Sequence, residues 1–373
     1  MKNYLLAATA ALAMLSVAQP AQAERPGDKI AGSYICVFKG NAVSRGSVQA
    51  EANRAAQANG GQVKHVYTTA IRGFAANISE QGLNYMRANN PNIAYCEQDQ
   101  VVMAIGVSAK APPGGGGGTQ PAQVTPWGIS RVGGGVAGSY ASAWIIDTGL
   151  DFSHPDLNTD VARSRSFVRD SSPADQHGHG THVAGTIAAY DNAIGVIGVA
   201  PGAKVVAVRV LDRRGSGTNS GVIAGVDYVA QNGQPGDVAN MSLGGGVSAA
   251  LDTAVVNAAA SSGVRFALAA GNESDNANNH SPGRANGTNV YTVSAFSQGD
   301  NWASFSNFGN PPIDYAGPGV SIKSTWLGGG YNTISGTSMA TPHIAGLLLL
   351  GAIHNGGTVS GDPAAPADTI AVH

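Results

Sequence analysis

The sequence predicts an α/β protein in two parts: a doubly wound, mostly parallel sheet preceded by a small α+β domain. Two patterns carry that reading. Beyond Gly133, apolar strand-like runs alternate with helical runs, and the strands are apolar throughout rather than at every second residue. Such strands belong to parallel sheets covered by helices on both faces. Before residue 105 the order is instead strand, helix, strand, strand, helix, strand. A third feature, 52 glycines in 373 residues spread along the chain apart from one run, fits a fold with many tight turns.

Taken in order, residues 1–23 read as an export signal. Lys2 supplies the positive start, Leu5 to Val17 the apolar core and Ala21-Gln22-Ala23 the small-residue cleavage pattern. That core is too short to span a bilayer, and the longest later apolar stretch, Ile344 to Ile353, contains two glycines. An exported product without membrane attachment is expected once the signal is removed.

Residues 24–104 form the first domain. Strands are expected at Ser33–Lys39, Lys64–Thr68, Gly73–Ile78 and Ile93–Gln98, with helices at 44–59 and Glu80–Asn89. That order has the ferredoxin-like sense. The first and last strands carry the chain's two cysteines, Cys36 and Cys96. A disulfide between them and a pair of buried thiols both fit at this level.

Residues 105–126 read as a flexible junction, with Ala111-Pro112-Pro113 and then five glycines. No Gly-Lys-Ser/Thr follows, so the run is not a phosphate loop. From 127 to 373, buried strands are expected at Ser142–Asp147, Lys204–Val210, Val238–Leu243, Val264–Ala270 and Val290–Ala295. Helices are expected at Val183–Ala189, Ser220–Gln231, Ala249–Ser262 and Ser338–Ile353. Asp362–Ala367 reads as disordered.

Composition narrows the chemistry. Charged residues make up 12% and the formal net charge is -2, which gives no pull towards nucleic acid or a membrane surface. No cysteine follows Cys96, which excludes a thiol nucleophile or a thiolate zinc site in the larger domain.

Four positions remain with chemistry to explain. Asp147 ends an apolar strand, where functional groups gather in open α/β sheets and where a carboxylate needs a partner. His177-Gly178-His179-Gly180-Thr181-His182 holds three histidines, but it lacks the Glu and the helical spacing of a zinc peptidase motif. Ser338, in Gly336-Thr337-Ser338-Met339-Ala340, stands at a glycine turn opening a helix, whose free N–H groups suit a developing anion. Residue 340 is Ala, so this is not the Gly-x-Ser-x-Gly elbow of esterases. Asn272 follows Ala269-Ala270-Gly271 just past a strand end.

Asp147-Thr148-Gly149, His179-Gly180-Thr181-His182 and Ser335-Gly336-Thr337-Ser338-Met339-Ala340-Thr341-Pro342-His343 occur in the chain order Asp, His, Ser that belongs to subtilisin. With these words the chain resembles the subtilisin-like serine proteases, nearest the proteinase K-like branch. The resemblance implies Asp147 as orienting acid, His179 as general base, Ser338 as nucleophile and Asn272 as oxyanion donor. His182 is then buried and hydrogen-bonded, and His177 lies on a surface loop. Ser242-Leu243-Gly244 resembles the segment that pairs with a substrate strand, and with Ala269, Ala270 and Gly271 it suggests small uncharged walls that suit an apolar P1 side chain.

By the same resemblance, residues 24–104 are an inhibitory propeptide, with maturation between Val101 and Gln123. The substrates are proteins or peptides, the propeptide is an intramolecular inhibitor, and the mature enzyme is a monomer. Catalysis needs no cofactor; structural calcium is frequent in the family, but these loops do not locate it. A catalytically silent binding module on the same scaffold is disfavoured because all four chemical positions are filled.

Overall fold

A computed structural model describes residues 24–106 and 120–373. The expected signal segment and the proline–glycine run of the junction lie outside the described residues.

The first domain comprises β1 (Lys29–Phe38), α1 (Val48–Gln57), β2 (Gln62–Tyr67), β3 (Gly73–Asn77), α2 (Glu80–Asn89) and β4 (Ile93–Ala104). The four strands form an antiparallel sheet in the order β4-β1-β3-β2. Helix α2 starts where Ser79 Oγ accepts the Gly82 N–H at 3.1 Å, satisfying one of the free donors of its first turn. Both helices cover one face of the sheet through Val48, Ala52, Leu83 and Met86, packed on Phe38 and Phe74. Cys36 and Cys96 stand directly opposite each other on β1 and β4 and are joined as a disulfide, which decides the alternative left open above.

The larger domain comprises α3 (Trp127–Arg131), β5 (Ala143–Asp147), β6 (Arg165–Ser166), α4 (His179–Ala188), β7 (Val205–Arg209), β8 (Ser216–Thr218), α5 (Asn219–Asn232), β9 (Val238–Met241), β10 (Leu243–Gly245), α6 (Ala249–Ser262), β11 (Arg265–Ala269), β12 (Val290–Ser297), β13 (Asn301–Trp302), β14 (Ile313–Pro318), β15 (Ile322–Trp326), β16 (Gly330–Ile334), α7 (Thr337–Leu350), β17 (His354–Thr358) and β18 (Thr369–Val372). Its main sheet runs β17-β18-β14-β12-β11-β9-β5-β7-β6 and is parallel from β18 to β6. Successive side chains of β5 point to opposite faces. Trp144 and Ile146 meet Val222, Val226 and Leu251 of α5 and α6, whereas Ala143 and Ile145 meet Val183, Ile187 and Ile344 of α4 and α7. Both faces are therefore core, which is why these strands carry no polar alternation. Each such aliphatic side chain stabilises the fold by roughly 1.5–3 kcal/mol.

Three expectations need correction, the first being the flexible junction: its residues 121–124 are tied to the larger domain, where the Val124 N–H donates to Gly195 O at 2.9 Å and Pro121 O accepts the Gly195 N–H at 2.8 Å. The last strand of the first domain does not stop near Gln98 but continues to Ala104, because Val101–Ala104 lies between β8 and β10 of the other domain. The segment Asp362–Ala367 is ordered rather than disordered. Asp362 accepts the N–H groups of Ala364 and Asp368 at 2.8 and 2.7 Å, and Asn310 Nδ2 donates to Pro366 O at 2.9 Å. It leads into β18, which joins the sheet beside β14 and buries Ile370. Local turns around Asp362 and a distant contact from Asn310 together order that segment.

Candidate active site

Asp147 closes β5 and is fully buried. Its carboxylate accepts the Thr148 N–H at 2.7 Å and the His179 Nδ1–H at 2.9 and 3.0 Å. His179 opens α4, next to Gly178, which has φ +105° and whose missing Cβ would lie 2.4 Å from the Trp326 ring. Only glycine meets both conditions. Burial alone would push the His179 pKa down, but the Asp147 charge and hydrogen bond hold the imidazole above its ordinary 6.5. Its Nε2 has no hydrogen-bond partner within 3.5 Å among the described residues, and a smaller contribution from the Ile105 backbone adds to the rise in pKa.

The other two histidines separate clearly. His182 is buried, donates from Nε2 to Ile322 O at 3.0 Å, and is pushed down to about 3 by burial. His177 is half-buried beside the His179 ring, 6.3 Å between centroids, rather than on the free surface expected of it.

Ser338 is the second residue of α7 and fully buried. Its hydroxyl is not hydrogen-bonded to His179; it donates to the Ser242 carbonyl at 2.9 Å, while Ser242 Oγ donates back to Ser338 O at 2.9 Å. Asn272 is fixed by its carbonyl oxygen, which accepts both the N–H and the Oγ1–H of Thr337 at 2.9 Å. That leaves the Nδ2 amide to face the cleft.

The end of β4 fills this cleft. Ala104, Met103 and Val102 pair with Leu243, Gly244 and Gly245, and the Ile105 N–H donates to Ser242 O at 3.3 Å. A Cβ on Gly244 would stand 2.7 Å from Ile105 Cδ1, so the Ile105 side chain rests on that glycine. A Cβ on Gly336 would stand 2.9 Å from Asn272 Nδ2, 2.9 Å from Ile105 O and 3.2 Å from Gly106 Cα. One on Gly106 would stand 3.5 Å from His179 Nε2. The Ile105–Gly106 peptide thus lies among His179, Asn272 and the start of α7. Ala269 and Ala270 are buried behind it, and Gly271 donates its N–H to Thr337 Oγ1 at 3.2 Å. Beside His179 a cavity of about 170 Å³ remains between Ala104, Gly106, His177 and Trp326. A larger one, about 620 Å³, lies away from these groups, between the first domain and α6.

The model of the subtilase family matches residues 142–355. The chain belongs to the subtilase family. It is 43% identical over 302 residues to the alkaline serine exoprotease A of Vibrio alginolyticus, over 78% of this chain and 53% of that one, so it spans about half that relative's length. It is 39% identical over 354 residues to an extracellular serine proteinase of Thermus sp. (strain Rt41A), covering 87% of this chain and 80% of the other. Among solved structures, a cold adapted subtilisin-like serine proteinase aligns with a TM-score of 0.56 at 42% identity, over 65% of this chain and 96% of that one.

Sequence reasoning missed Asp175 in this subtilase. Its carboxylate accepts the N–H groups of His177, Gly178 and Thr181 at 2.8, 2.9 and 3.0 Å, and so sets the first turn of α4 on which His179 sits. The signal was available: an Asp shortly before a helix start is a capping residue. Thr337, which holds Asn272, carried no such signal, since the two lie 65 residues apart. For calcium, no group of three or more Asp, Glu, His or Cys side chains converges among the described residues. The buried Asp156 is already taken by the Val196 N–H, Asn192 Nδ2 and Tyr331 hydroxyl.

Proposed function

We propose that this subtilase, a serine endopeptidase, is exported as a zymogen that cuts its own Ile105–Gly106 bond and then hydrolyses other proteins through Asp147, His179, Ser338 and Asn272. The observation that supports this best is the lie of that one peptide: its carbonyl oxygen and Asn272 Nδ2 both flank Gly336, each 2.9 Å from where a Cβ there would stand, and Gly106 lies against His179 Nε2. The residues before it run as a strand between two strands of the larger domain, as a substrate held by main-chain pairing would.

In the reaction the Ser338 hydroxyl turns from the Ser242 carbonyl to attack the Ile105 carbonyl carbon, and its proton passes to His179 Nε2. Asp147 stabilises the imidazolium through the Nδ1–H. Asn272 Nδ2 and the Ser338 N–H receive the oxyanion. His179 then returns the proton to the Gly106 nitrogen, the C–N bond breaks, and an ester of Ile105 on Ser338 remains. Water, activated by the same imidazole, hydrolyses that ester. None of these steps uses a cofactor.

Ile105 over Gly244 favours an apolar P1 in other substrates too. Residues 24–105 act as the inhibitory propeptide, and the mature enzyme works as a monomer on protein substrates. Export rests on the 1–23 pattern, and no described helix is long and apolar enough to cross a membrane. A fluorophosphonate probe should label the wild type and not Ser338→Ala, and casein should be cleaved in preference to short-chain esters. Equal labelling of both proteins refutes the nucleophile; esterase activity without casein cleavage refutes the substrate class.

A further inference from the structure

The chain's only two cysteines form a bond in the domain that is discarded, and the larger domain has none. The bond joins directly opposed residues of β1 and β4, 60 residues apart in sequence. Strand β4 is also the strand that docks. On one side of Cys96, Glu97 accepts from Ser248 Oγ and from the Ala250 N–H (3.3 Å) at the start of α6. Further along, Asp99 accepts the Ser220 N–H at 3.0 Å and Ser220 Oγ at 2.6 Å in the first turn of α5. The same strand then enters the cleft at Val101.

The propeptide has little else to hold it together once free. Its own core is a small cluster under α1 and α2. The opposite face of its sheet, with Ile35, Tyr67 and Ala75, is buried in a cluster shared with α5 and α6 of the larger domain. Separation exposes that face. A domain of this size that lends one apolar face of its sheet to a neighbour is marginal alone, and a cross-link over a long loop is the usual remedy.

We propose that the Cys36–Cys96 bond keeps the propeptide folded after it is cut, and so makes it a persistent inhibitor both of its own catalytic domain and of a second, mature copy. This rests on the propeptide reading above. An unfolded peptide must fold as it binds, so any folding free energy lost with the bond is lost from its affinity. Loss of a cross-link of this kind weakens binding about thirtyfold or more.

The test follows the full chain after autoprocessing, with hydrolysis of a small chromogenic peptide reporting release. Three samples are compared: the wild type, the wild type given a dithiol reductant after the cut, and Cys36→Ala/Cys96→Ala. The reductant gives two electrons and two protons to the Cys36–Cys96 sulfurs and closes its own disulfide; it has no other bond to act on in this chain. The delay between cut and activity should shorten at least tenfold in the second and third samples, with no further effect of reductant on the double variant. Oxidised, freshly cut protein mixed with fully active enzyme should give less activity than the sum of the two.

Equal, measurable delays with and without the bond overturn the inference and leave the propeptide reading standing. Activity that appears together with the cut in every sample overturns both. If the double variant does not fold, the reductant sample alone decides.

Discussion

Replacing Asp227 by alanine separates inhibition from catalysis. Asp227 is buried on α5, and its carboxylate receives three N–H groups from the turn between β2 and β3: Thr68 at 3.1 Å, Thr69 at 2.8 Å and Ala70 at 2.7 Å. It belongs to the larger domain and touches none of Asp147, His179, Ser338 or Asn272. Removing it strands the Ala70 donor, which is buried, at about 2–3 kcal/mol for a lost bond to a charged acceptor. Thr68 and Thr69 are half-buried and recover part of their loss from water, leaving about 0.5–1 kcal/mol each. The sum, about 3–5 kcal/mol, corresponds to a hold on the propeptide weaker by roughly 10²–10³-fold or more. The assay is the time from autoprocessing to full activity on a chromogenic peptide, with kcat/KM measured at the end. The delay should collapse while the final kcat/KM matches the wild type. A delay within threefold of wild type would refute the reasoning, because it would mean the carboxylate adds nothing to docking.

Three further outcomes are expected. Asn272→Ala should lower kcat about 10²–10³-fold with little change in KM, the range that applies to the corresponding asparagine of subtilisin; an unchanged kcat in steady-state kinetics removes Asn272 from the oxyanion site. Gly244→Ala puts a methyl 2.7 Å from where Ile105 Cδ1 sits, so peptides with large P1 residues should lose at least tenfold in kcat/KM relative to P1 Ala; a uniform loss across a P1 panel contradicts the pocket. The base works only as neutral imidazole, and Asp147 raises the His179 pKa, so kcat/KM should fall as pH drops through a value above 6.5. In Asp147→Asn burial remains and the charge is gone, so the limb should move to lower pH and kcat should drop by about 10⁴-fold; a limb that does not move excludes Asp147 as its cause.

What could be read from the sequence was whatever a local pattern encodes. The strand through Trp144-Ile145-Ile146 is apolar because both faces of the sheet are covered, and that places Asp147 at a strand end where a carboxylate needs a partner. The helix expected at Glu80–Asn89 has those bounds in the structure, where Ser79 caps it. What escaped depends on contacts distant in sequence. Val101–Ala104 is a strand only because β8 and β10 flank it, and Gln98 therefore looked like an end. Asp362–Ala367 has loop composition and is ordered by the turns around Asp362 together with Asn310 and the neighbouring β18. Cys36 and Cys96 could be placed on the outer elements of one pattern, but their opposition required the register of β1 on β4. At the site, the tight words marked His179 and Ser338, whereas the Thr337–Asn272 clasp joins two words and is written in neither.

The most direct test of the account is the intact mass of the propeptide and the N-terminal sequence of the mature enzyme, taken as soon as the wild type is processed and compared with Ser338→Ala kept alone under the same conditions. The wild type should give a propeptide ending at Ile105 and a new N-terminus at Gly106, with no cleavage in Ser338→Ala. A first cut at any other bond, or the same cut in the isolated Ser338→Ala protein, would contradict it.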